Sequence, residues 1–193
     1  MQDLHHDGKL YSSRQGFSEK AKRINQYIKD WEASGFRSGF MFHNLDWLHD
    51  LNINYDASTF DTDPFEPQPD GVNTIFPFWV PDSKRGGFFE LPYTLPQDST
   101  LFLVFREKTI DIWLQKLDWI AEKGGMALVN VHPDYMAFPK DSASKHLYPM
   151  ALYKEFLEWV KQKYAVQYWH ACPKDIAAYC QQTFDGVQRG GKA

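Results

Sequence analysis

Short strands alternating with amphipathic helices predict an α/β fold built on a mainly parallel sheet, open or closed into a barrel. Three observations carry this expectation. Apolar residues recur at steps of three and four in several windows, brief β-branched runs lie between those windows, and polar residues able to do chemistry follow the ends of the runs.

Residues 2–4 form the first strand candidate, followed by His5, His6 and Asp7. Over 18–33 the stripe Ala21, Ile24, Tyr27, Ile28 and Trp31 predicts a helix that Ser34 and Gly35 stop. Strands are expected at 35–38, closing on Arg37, and at 53–57, ahead of Asp61 and Asp63. The stretch 61–87 carries Pro64, Pro67, Pro69, Pro77 and Pro81, so it reads as a long loop, either a cover over the functional edge of the sheet or a rim packed on a neighbour. A strand at 88–93 follows. Ile110, Trp113, Leu114, Leu117, Ile120 and Ala121 then predict a helix over 109–122, capped by Thr109 and ended by Gly124 and Gly125. The run "ALVNVHPDYM" reads as a strand over 126–131 that delivers His132 and Asp134 to its end. A helix over 150–164, a strand at 166–169 and a helix starting at Pro173 complete the pattern, and "DGVQRGGKA" reads as a frayed tail.

The 193 residues, 43% apolar, suit one domain, placed over 1–183 with a disordered tail at 184–193. About six strands fall short of the eight in a complete (β/α) barrel, so a barrel here is expected to be open at its start. The net charge of −4, with no basic run longer than a pair, gives no footprint for nucleic acid or an anionic membrane. No segment has the apolar length of a membrane span and the first residues lack a signal-peptide pattern, which places the chain as written in the cytoplasm. Cys172 and Cys180, about 12 Å apart along one helix at 1.5 Å per residue, read as reduced core residues.

In a parallel barrel the chemistry gathers where the strands end at their C-terminal side. His132 there is suited to passing a proton near neutral pH; the plain alternative is an imidazole satisfied by a backbone carbonyl. His6 with Asp7 are ordinary zinc-ligand types, but a catalytic zinc takes three protein ligands and Gln2, four residues before His6, is a poor third. Arg37 is suited to forking onto a carboxylate or to lying on the surface. The three carboxylates of "DASTFDTDP" read first as turn chemistry, Asp63 before Pro64 in particular.

The segments "HHDGKLYSS", "GFRSGF", "NYDASTFDTDPF", "ELPYTLPQDSTLF" and "ALVNVHPDYM", in this order, resemble the later part of a polysaccharide deacetylase domain of the NodB type, from Met1 to about Tyr179. The resemblance implies an incomplete (β/α) barrel, truncated at its N-terminus, and a divalent metal, commonly zinc, bound by one aspartate and two histidines four residues apart. It implies removal of acetyl groups from N- or O-acetylated sugars. By the same resemblance His6 matches the second histidine and Gln2 stands in the place of the first. Arg37 matches the arginine of an Arg-x-Pro-aromatic motif, here Arg37-Ser38-Gly39-Phe40, and residues 56–63 loosely match the fourth motif. His132 matches the histidine that protonates the leaving group, with Asn130 in place of the usual leucine. The opening Asp-Asp motif, which supplies the base and the carboxylate ligand, has no counterpart here. Phe40, Tyr135 and Trp79 are the substrate-binding candidates. The alternative is a non-catalytic relative that binds a glycan or a protein partner on Trp47, Phe65, Trp79 and Tyr135. Exposed edges of an open barrel further predict a homo-oligomer.

Overall fold

The computed structural model describes residues 10–61, 71–82, 86–141 and 144–190, without the side chains of Phe40 and of 185–190. The chain divides into two compact units, Met1–Thr59 with Phe76–Pro92 and Ala171–Ala193, and Phe60–Ile75 with Tyr93–His170. The fold is mixed α/β with a small mixed sheet and, among the described residues, no closed barrel.

In the first unit Ser13 caps helix α1 (Arg14–Asp30), its hydroxyl accepting from the Gly16 N–H at 3.1 Å. The helix therefore begins four residues before the apolar stripe suggests, and adds Phe17 to the buried face of Ala21 and Ile28. Arg14 forks onto Asp50 at 2.5 and 2.8 Å, tying the start of α1 to the turn after the short helix α2 (Leu45–Leu48). The sheet has the order β1 (Gly35–Phe36), β2 (Tyr55–Asp56), β4 (Gly86–Glu90), β3 (Phe78–Asp82). β1, β2 and β4 run parallel and β3 pairs antiparallel on β4.

β3 corrects the expectation of a structureless loop over 61–87. Pro81 sits on an edge strand, where a missing N–H is tolerated. Gly87, at φ +129, faces it so closely that a Cβ would lie 2.2 Å from the Val80 carbonyl oxygen. Helix α5 (Pro173–Gly190) begins at the proline as expected and continues through residues read as tail. Phe17 and Leu48, both fully buried, centre a core with Leu51, Ile53, Val80 and Phe88.

The second unit holds helices α3 (Asp111–Lys123) and α4 (Met150–Lys163) and the two-residue parallel pair β5 (Met136–Ala137) and β6 (Tyr148–Pro149). Gly124 ends α3 at φ +67, as its position predicts. Trp113, fully buried, donates its indole N–H to the Pro96 carbonyl at 2.7 Å and packs on Phe102 and Phe156. Residues 126–131 do not form the expected ladder strand. They run beside 93–98, joined by backbone bonds from the Thr94 and Leu95 N–H groups to the Leu128 carbonyl, both at 3.1 Å, and by the Thr94 hydroxyl, which accepts from the Leu128 N–H at 2.9 Å and donates to the Met126 carbonyl at 2.7 Å. Residues 166–169 are likewise no strand: they lie in turns, with Val166 fully exposed at φ +59. Cys172 is exposed rather than core, and both cysteines are free. The candidate strand at 2–4 lies outside the described residues.

Candidate functional site

Three separate segments of the second unit meet at one buried carboxylate. Asp98 stands at the entry to a single π-helical turn, Ser99–Val104, and is completely buried. Its Oδ1 accepts from the Ser99 N–H at 2.8 Å and from His132 Nδ1 at 2.6 Å. Its Oδ2 accepts from the His132 N–H at 2.7 Å and from the Tyr148 hydroxyl at 2.9 Å. Two of these donors are backbone N–H groups, and with Asp98 as a carboxylate all four contacts run from donor to acceptor. In that arrangement His132 Nδ1 carries the hydrogen, and Nε2 is the ring nitrogen that Asp98 does not hold. Burial, followed by the charge of Asp98, pushes the Tyr148 phenol well above its ordinary value, so it stays a donor.

His132 is 31% exposed, against none for Asp98. It ends the extended run 126–131, held there by Thr94 and by the Asn130 amide, which donates to Gln97 at 2.7 Å. A 3-10 turn, Pro133–Tyr135, follows at once, closed by the Tyr135 N–H on the His132 carbonyl at 3.0 Å. That turn places the Tyr135 ring 5.1 Å from the imidazole with 38% of its surface open. Asp134 points to solvent and joins no part of the site.

Other predicted residues are placed differently. Arg37, in the first unit, is exposed just after β1, while Ser38 beside it is buried. Asp56 is fully buried within β2, and Asp61, in the second unit, is buried with Lys116 at 3.0 Å. Trp79 stacks on Phe184 at 5.2 Å and meets Phe89 edge-on, and Trp47 packs on Tyr11 and Phe17; both rings serve packing. Phe40 belongs to the 3-10 turn Gly39–Met41. Gln2, His5, His6, Asp7, Asp63 and Phe65 lie outside the described residues. Among the described residues no group of three or more His, Cys, Asp or Glu is arranged to hold a metal ion. A groove of about 290 Å³ in the first unit, lined by His49, Leu51, Asn52, Ile53, Asn54, Gly87 and Phe88, contains none of the predicted site residues.

Sequence reasoning found His132 and Tyr135 but missed Asp98 and Tyr148. Asp98 carried one faint sign, an acidic residue directly before Ser99 and Thr100, as at a helix entry. No family model, curated protein or solved structure matches the chain. No helix among the described residues is long and apolar enough to cross a membrane.

Proposed function

We propose that the chain is a hydrolase of the polysaccharide deacetylase type, which removes acetyl groups from N- or O-acetylated sugars, with His132 as the group that hands a proton to the departing sugar. The observation that carries this reading is the Asp98 carboxylate 2.6 Å from His132 Nδ1, backed by three further donors. An imidazole fixed in ring plane and tautomer presents Nε2 in one direction, which is what proton transfer to a bound leaving group requires. In its doubly protonated form Nε2–H is the donor, and after transfer the ring returns to the tautomer that Asp98 already holds. Tyr135, open beside the imidazole, offers a face on which a sugar ring can stack.

The order of the sequence motifs supports an incomplete barrel of the NodB type. So do the parallel run β1-β2-β4 and the extended segment 126–131 alongside 93–98. The metal belongs to this proposal through the resemblance alone, which assigns it to His6 and Gln2, and it would supply the activated water. Arg37 enters on the same footing, as the residue that orients a carboxylate. Acetate release from an N-acetylated and an O-acetylated oligosaccharide, measured with added zinc, tests the reading. Wild-type turnover is expected, with kcat lowered by about 10²-fold or more in His132→Gln. Absence of release from both substrates, or full activity in the variant, refutes it.

A further inference from the structure

In the first unit the strand register sets Asp56 of β2 opposite Glu90 of β4, and both side chains are completely buried. Glu90 Oε1 accepts from the Ser58 N–H at 3.1 Å, the Thr59 N–H at 3.0 Å and the Thr59 hydroxyl at 2.7 Å. Asp56 Oδ1 accepts from the Ser58 hydroxyl at 3.0 Å. One oxygen of each remains, Asp56 Oδ2 and Glu90 Oε2, and neither has a donor. Two ionised carboxylates side by side on neighbouring strands would repel at low dielectric and leave lone pairs unpaired. Neither makes an ion pair among the described residues. Among the described residues the Tyr11 phenol also feels both carboxylates; it is hydrogen-bonded to Ser38 at 2.6 Å, and burial pushes it up, so it stays neutral.

We infer that Asp56 and Glu90 share a single proton at neutral pH, held between Asp56 Oδ2 and Glu90 Oε2. This hydrogen closes β2 onto β4 at their ends and supplies the one bond that both orphaned oxygens lack. The other two oxygens hold the segment 57–59, and the Ser58 hydroxyl in turn accepts from the Ser38 N–H at 2.9 Å, anchoring the backbone that follows Arg37. The pair is therefore a proton latch at the strand ends of this unit, whether or not the deacetylase reading holds. Burial, then the charge of Glu90, raises the Asp56 carboxyl well above its ordinary range, in keeping with retention of the proton.

The test uses the wild-type chain with carbon-13 detection of side-chain carboxyls through a pH titration. The Asp56 signal is expected to lose its proton well above the ordinary carboxylate range of about 4, with the signal of one Glu responding in the same step. A second measurement follows the thermal midpoint with pH. The wild-type midpoint should fall on going from about pH 5 to about pH 8, because the folded state keeps a proton that the unfolded chain gives up. Asp56→Asn, whose amide can donate to Glu90 Oε2, should lose most of that fall, and Glu90→Gln should do the same. If every carboxyl titrates in the ordinary range, the proton is not shared. One equivalent of a divalent cation retained through dialysis, and lost in Asp56→Asn, would equally overturn the inference. Should both variants fail to fold, the wild-type titration decides alone.

Discussion

Asp98 and the Asp56–Glu90 pair are both fully buried acids, yet they solve burial in opposite ways. Asp98 is supplied with four donors from three segments and stays charged. Asp56 and Glu90 receive four donors between them, all on one oxygen of each, and keep a proton where the other two oxygens meet. Burial alone thus does not decide protonation. The number and direction of donors does, and the acid left ionised is the one joined to a half-exposed imidazole.

Four experiments sharpen or break this contrast. Asp98→Asn replaces one of the two acceptor oxygens by an NH2 group that faces two donors, and should destabilise the chain by about 2–4 kcal/mol in urea unfolding. A loss under about 1 kcal/mol would mean that the four bonds are not made in solution. Asp56→Asn should act with the opposite sign at pH 8, stabilising by about 1–2 kcal/mol, because it removes the charge that the latch has to suppress. At pH 4 the gain should shrink, since below the unfolded value both states of the wild type are protonated; as pH rises to the folded value the wild type loses stability, then levels off. Tyr148→Phe keeps the ring against Phe102 and drops one of the four bonds, for a loss of about 1 kcal/mol. The smallest effect concerns assembly. β1 and β3 are the outer strands of the sheet among the described residues, and light scattering at micromolar concentration is expected to report a dimer. A monomer would show that those short edges are tolerated uncovered.

The helices were legible because an apolar stripe at the helical period reflects one buried face, as in Trp113, Leu117 and Ile120 of α3. β1, β2 and β4 were legible from their apolar runs, whereas β3 was hidden in a proline-rich stretch although its ladder on β4 is intact. The run at 126–131 has strand composition and bonds to 94–98 through its backbone and the Thr94 hydroxyl, but without the regular spacing of a ladder. Val166 belongs to an apolar run that reads as strand, yet it sits in a left-handed turn that β-branched residues seldom adopt. Within the site, His132 was visible from its place after an apolar run. Asp98 and Tyr148 were not, because their partners lie 34 and 50 residues away and local pattern carries no trace of such pairings.

The Asp98 side chain bonds the main chain of His132 as well as its ring. The segment bearing the imidazole is therefore fastened to the rest of its unit by the same atoms that would govern its chemistry. Alleles at position 98 recovered in a screen for lost activity should then also be depleted in protein abundance. Alleles at His132 that spare the backbone, such as His132→Gln, should lower activity while leaving the amount of protein nearly normal.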